Sequence, residues 1–128
     1  MQLPPDAVAA TVLLTSVRLT EPWPRPGKEV GAWEGAEMDE VLDLIHALPG
    51  SRQYRCGFRP GWSVRAYDER VAEPLFEAAF CFSCHEARLT GSAVHGRALA
   101  TQFFDPDSPQ GQELLARLRA SAERGSST

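Results

Sequence analysis

The stretch Phe80-Cys81-Phe82-Ser83-Cys84-His85 concentrates the residue types best suited to chemistry: it holds two of the three cysteines and one of the three histidines. As a bare pattern, Cys81-x-x-Cys84-His85 is a c-type haem attachment signature, in which two thiols bond to the porphyrin and the adjacent imidazole is an axial ligand. Other features weigh against haem. The methionines are Met1 and Met38, neither well placed as an opposite ligand, which leaves His46 or His95 for that role. The motif also lies in a segment with strand periodicity rather than helical periodicity.

Zinc is a second chemistry open to the same residues. A Cys-x-x-Cys pair ligates one metal where the chain turns tightly enough to bring both sulfurs together. In a regular strand Cys81 and Cys84 point to opposite faces, so a bulge at Phe82-Ser83 would be needed. Cys56, expected on a neighbouring strand, and His85 (or His95) would complete a set of Cys56, Cys81, Cys84 and His85. A dithiol redox role requires an accessible first cysteine with a lowered pKa. Cys81 stands between two phenylalanines, with only His85 and Arg88 near it in sequence. The simplest assignment makes all three cysteines small apolar side chains of a sheet, and the strand pattern favours it. No cofactor is therefore expected, with zinc as the alternative. There is no G-x-S-x-G, H-E-x-x-H or phosphate-binding glycine loop, and no enzymatic activity is expected.

The elements that would carry these residues are read from periodicity. Ala10 to Leu19 is rich in β-branched residues and reads as a strand, with a helix from Asp6 as the competing assignment. Pro22, Pro24 and Pro26 then impose an exposed loop, with Trp23 and Trp33 in or beside it, read as lids folded back over core. Ala36 to Leu48 is the clearest helix. Met38, Val41, Leu42, Ile45 and Leu48 form one apolar stripe, and Glu37, Asp39 and Glu40 suit the positive end of its dipole. Its face of Asp39, Glu40 and Asp43 is read as solvated.

From Gln53 the period becomes two. Tyr54, Cys56 and Phe58 alternate, then Trp62, Val64 and Ala66, then Phe76, Ala78, Phe80, Phe82 and Cys84. Glu86 to Leu89 extends that last strand, and Gly96 to Phe104 reads as a final one. Ser108 is a candidate N-cap, with Pro109 at the first helical position, for a closing helix buried through Leu114, Leu115, Leu118 and Ala122. The resulting order is β-α-β-β-β(-β)-α. It predicts an α+β single domain over residues 1–124, an antiparallel sheet of four to five strands with two helices packed on one face, and a frayed tail at 125–128.

Composition limits the partners. A formal net charge of −4 on 128 residues argues against nucleic acid. An odd number of cysteines leaves at least one thiol unpaired, and three are too few for a disulfide scaffold. The N-terminus has no basic region, and its apolar run is shorter than a membrane span. A cytoplasmic protein without membrane association is the default expectation.

The segment Cys56-Gly57-Phe58-Arg59-Pro60-Gly61-Trp62-Ser63-Val64, followed by Phe80-Cys81-Phe82-Ser83-Cys84, resembles a pattern in small uncharacterised bacterial α+β proteins. These pair a Cys-x3-Pro segment with a later apolar Cys-Phe-x-Cys strand, and the match covers residues 53–89. The resemblance implies that His85 is incidental, which argues against haem. It links Cys56 with the Cys81/Cys84 pair, as a thiol cluster or as shared core, and implies no activity. The functional expectation is a small, non-catalytic binding or accessory protein acting through a protein partner, with a Cys/His zinc protein as the alternative and a haem protein after it.

Overall fold

The chain forms six strands, β1 (Leu13–Arg18), β2 (Lys28–Trp33), β3 (Trp62–Tyr67), β4 (Phe76–Cys81), β5 (Glu86–Thr90) and β6 (Thr101–Phe103). They form one antiparallel sheet in the order β2-β1-β3-β4-β5-β6. The helices are α1 (Pro5–Ala10), α2 (Gly35–His46), α3 (Arg97–Ala100) and α4 (Pro109–Ser126). The computed structural model describes residues 1–126. The α+β class with a single antiparallel sheet agrees with the periodicity. The sheet is larger than the expected four to five strands, because β2 follows the proline loop directly and adds an outer strand. No helix among the described residues is long and apolar enough to cross a membrane.

One sheet face carries the main core. Cross-strand register places Leu14 opposite Ala66, Val64 opposite Ala78, Trp62 opposite Phe80, and Phe80 opposite Ala87. These side chains join Met38, Val41, Leu42 and Ile45 of α2 and Leu114 and Leu118 of α4 in one buried cluster. The predicted apolar stripes of both helices therefore face the sheet. Ser108 caps α4 as expected, its Oγ accepting from the Gly111 N–H at 3.0 Å, which satisfies one of the orphan donors of the first turn. Gly31 in β2 lets α4 approach closely, since a Cβ there would lie 2.5 Å from the Ser121 carbonyl oxygen. Beside it the Ser121 hydroxyl donates to Ser16 at 2.6 Å, fully buried. The acidic face of α2 is partly partnered inside the chain: Arg117 meets Glu40 at 3.0 Å and Arg124 meets Glu37 at 3.1 Å, both from α4.

Four local expectations are corrected. Residues 53–59 form no strand; they belong to an irregular loop running from Ser51 to Gly61. Strand β4 stops at Cys81, and Phe82-Ser83-Cys84-His85 is the turn into β5, with Cys81 paired to Glu86. His85 closes the turn at φ +59°, a left-handed conformation that only a minority of non-glycine residues adopt. Gly96 to Phe104 divides into the single helical turn α3 and the short β6. Gly125 and Ser126, expected in a frayed tail, belong to α4; residues 127 and 128 of that expected tail lie outside the described residues. At the N-terminus both competing assignments find a place, as α1 followed by β1.

Candidate functional site: a loop tied across the open sheet face

The second face of the sheet carries no helix. Its side chains are Thr15 and Val17 of β1, Ser63, Arg65 and Tyr67 of β3, Glu77, Ala79 and Cys81 of β4, and Arg88 of β5, by the register of the ladders. The β1–β2 pairing slips between Ser16 and Val17, so that Ser16 faces Gly31 while Val17 faces Glu29. This bulge turns the Glu29 carboxylate onto the open face. There it accepts from Thr15 Oγ1 and from the Tyr67 hydroxyl, each at 2.6 Å. Arg65 donates through Nε to Glu77 at 2.8 Å, and Ser63 donates to the other Glu77 oxygen at 2.7 Å. Arg65 also donates to the Gly27 carbonyl at 3.2 Å, which anchors the end of the proline loop. Each polar group here has a partner within the network, so it is structural.

Burial acts first and against the Glu29 charge, but the Thr15 and Tyr67 hydrogen bonds and the Arg65 charge outweigh it and hold its pKa below the ordinary 4.5. Burial raises the Tyr67 pKa above 10.0, and its bond to Glu29 raises it further. A lowered carboxyl gives stability that is present above pH 4.5 and is lost as pH falls through the lowered value. A raised phenol gives stability that is present below pH 10 and is lost as pH rises through the raised value. Thermal melts across pH should therefore show a plateau with two limbs. Glu29→Gln should flatten the acid limb and Tyr67→Phe the alkaline one, each by less than about 1 kcal/mol because the network is partly open to solvent. Limbs unchanged in both variants would show that these groups do not set them.

Above this network two loops meet. Trp23, from the loop after β1, stacks edge-on against Phe58 at 5.0 Å and 88°. Both cover Val17, Leu19 and Ala79 as a second, smaller apolar cluster. The lid expected of Trp23 is found here, whereas Trp33 is buried in the main core. The Arg88 guanidinium lies 4.2 Å from the Phe58 ring centroid and 5.3 Å from that of Trp23, and it is also bonded to Glu86. Glu21, Pro22, Trp23, Phe58, Arg59 and Pro60 line a cleft of about 280 Å³ beside the stack.

The loop from Ser51 to Gly61 is fixed to the β4–β5 turn side chain by side chain. Tyr54 lies 4.1 Å from the His85 ring, Ser51 Oγ is hydrogen-bonded to His85 Nδ1 at 3.2 Å, and Cys56 forms a disulfide with Cys84.

The four residues expected as metal ligands are therefore divided. Cys56 and Cys84 are brought together, but as a disulfide, whose sulfurs are not the thiolates a metal needs. Cys81 is a separate, fully buried thiol at the end of β4, 3.4 Å from Ser83 Oγ. His85 uses one ring nitrogen on Ser51. Among the described residues no group of three or more His, Cys, Asp or Glu is placed to hold a metal ion. His46 and His95 line a different groove, with Leu3, Pro5 and Leu99. Trp23, Phe58 and Arg88 are far apart in the sequence, and no spacing marks them as one site. The Tyr54/Cys56/Phe58 alternation is the available signal in the sequence, and it has the period of a strand face. Comparison with protein-family models, with curated proteins and with solved structures finds no match for this chain.

Proposed function

We propose that the protein is a non-catalytic binding protein that docks a protein partner on the platform formed by the loop around Trp23 and the loop 51–61. The observation that carries this reading is the Trp23–Phe58–Arg88 stack beside an open cleft. Tryptophan and arginine are over-represented among the residues that dominate binding energy, and they act best in preformed pockets. The Cys56–Cys84 bond and the His85 contacts order the loop before a partner arrives, which lowers the entropic cost of association. Composition alone makes a cytoplasmic location the starting expectation. The disulfide is better suited to a compartment that keeps such bonds oxidised, and fractionation of source cells decides between them.

A photo-crosslinker placed at Arg59 tests the reading in source cells, with the same group at Arg119 on α4 as the control. One dominant protein adduct from Arg59 alone is expected. Trp23→Ala should reduce its yield about tenfold, equivalent to ~1.4 kcal/mol, measured below the melting temperature of the variant, because Trp23 also covers Val17 and Leu19. The same adducts from both positions, or no effect of Trp23→Ala, would sink the proposal.

A further inference from the structure

We infer that the platform recognises an acidic segment of its partner, with carboxylates next to an apolar side chain; this rests on the binding reading above. The chain is acidic overall, with a net charge of −4, yet residues 51–67 contain Arg52, Arg55, Arg59 and Arg65 and no acid. Arg65 is taken up by Glu77 and Glu29 within the sheet. The three others lie in the disulfide-tied loop and are exposed. The acids on α2, in contrast, are partly answered by Arg117 and Arg124 of α4. The positive character of the loop is therefore local and directed outward.

Arg59 has one ion-pair partner, Glu21, at 3.6 Å across the cleft, with the two side chains 74% and 65% exposed. A pair so open to water is worth about 0–1 kcal/mol, so a partner carboxylate can replace Glu21 at almost no cost. Arg52 lies over the Tyr54 ring at 5.3 Å, which leaves the planar edge of its guanidinium for bidentate contact with a second carboxylate. Arg55 has no ion-pair partner among the described residues. The cleft beside Arg59 is lined by Glu21 and by Pro22, Trp23 and Phe58, whose apolar atoms can meet an apolar side chain. The loop thus presents the Arg59 guanidinium beside the half-buried Trp23 and Phe58 rings, with Arg52 and Arg55 exposed elsewhere on the same loop.

Fluorescence anisotropy on the full chain tests this with three labelled probes. One is a pool of short peptides alternating Glu or Asp with Leu or Phe, the second is the same pool with Lys for each acid, and the third is a single-stranded oligothymidine. The acidic pool should bind, more weakly at high salt, and the lysine pool should not. Arg59→Glu with Arg55→Glu should weaken binding by about tenfold or more, Glu21→Gln should tighten it, and Arg119→Glu on α4 should leave it unchanged. Equal binding of both peptide pools, no binding of the acidic pool, or preferential binding of the oligonucleotide would each overturn the inference. If the acidic pool fails while the Arg59 crosslink still captures one partner, the acidic assignment is wrong and the binding reading stands. If both fail, both are wrong.

Discussion

Reducing the Cys56–Cys84 bond is expected to lower the stability of the protein by about 3 kcal/mol and to release the loop 51–61. The bond spans 28 residues, and the chain-entropy account for a closed loop of that length gives about 3–4 kcal/mol. For a domain of this size the loss is equivalent to a fall of roughly 10 °C in melting temperature, and Cys56→Ser should reproduce it. The local effect should be sharper than the global one. The loop has no helix or strand of its own, and its tie to the turn otherwise rests on the Tyr54–His85 and Ser51–His85 contacts. Trypsin should therefore cut after Arg52 or Arg55 much faster in the reduced protein. Thiol titration supplies the direct check. The native protein should show no fast-reacting thiol, since Cys81 is fully buried and such a thiol is inert. Unfolding without reductant should expose one thiol, and unfolding with it should expose three. Three thiols without reductant, together with an unchanged melting temperature for Cys56→Ser, would remove the bond and this explanation of the platform.

The same loop marks the limit of what was legible in the sequence. Features whose cause is local could be read directly: the α2 stripe, the Ser108 cap, and the alternation of β3 and β4 each follow from residues within one element. The β2 strand could not be found that way. Its Val30 is the extra residue of the bulge and its Gly31 exists to admit α4, so both break the pattern for reasons that lie elsewhere in the fold. The alternation of Tyr54, Cys56 and Phe58 is real, but each side chain answers a different partner, His85, Cys84 and Trp23, instead of one ladder. Likewise Phe82 continues the β4 alternation into the turn because its ring packs on Phe80 and Phe104. A period of two records burial on one side, and a wrapped loop or an anchored turn can satisfy it as well as a strand. The cysteine pattern leaves core, metal and redox roles open and does not point to the Cys56–Cys84 bond. The roles of the cysteines depended on where β4 ended, which no local signal fixed.

Phe104→Ala should cost about 3–5 kcal/mol, the range for deleting a fully buried aromatic ring. The ring has no solvent exposure and stands edge-on to Phe80 at 5.8 Å and to Phe82 at 5.5 Å. Its backbone N–H also donates to the His85 carbonyl at 2.9 Å. Phe104 therefore joins the main core to the turn that holds Cys84, and its removal and the loss of the disulfide act on the same few residues. Sites that share partners are not additive. Once reduction has loosened the turn, Phe82 is held less firmly against Phe104, and Phe104→Ala should cost less in the reduced protein than in the oxidised one. Leu118→Ala, buried on α4, should cost about 2–5 kcal/mol in both redox states alike. Urea midpoints of the wild type and both variants, each measured oxidised and reduced with the slope confirmed constant, test the coupling. An equal cost for Phe104→Ala in the two states would show that the core and the tied loop are energetically independent. A lower cost on reduction would show that the ring beneath the turn helps hold the platform in place.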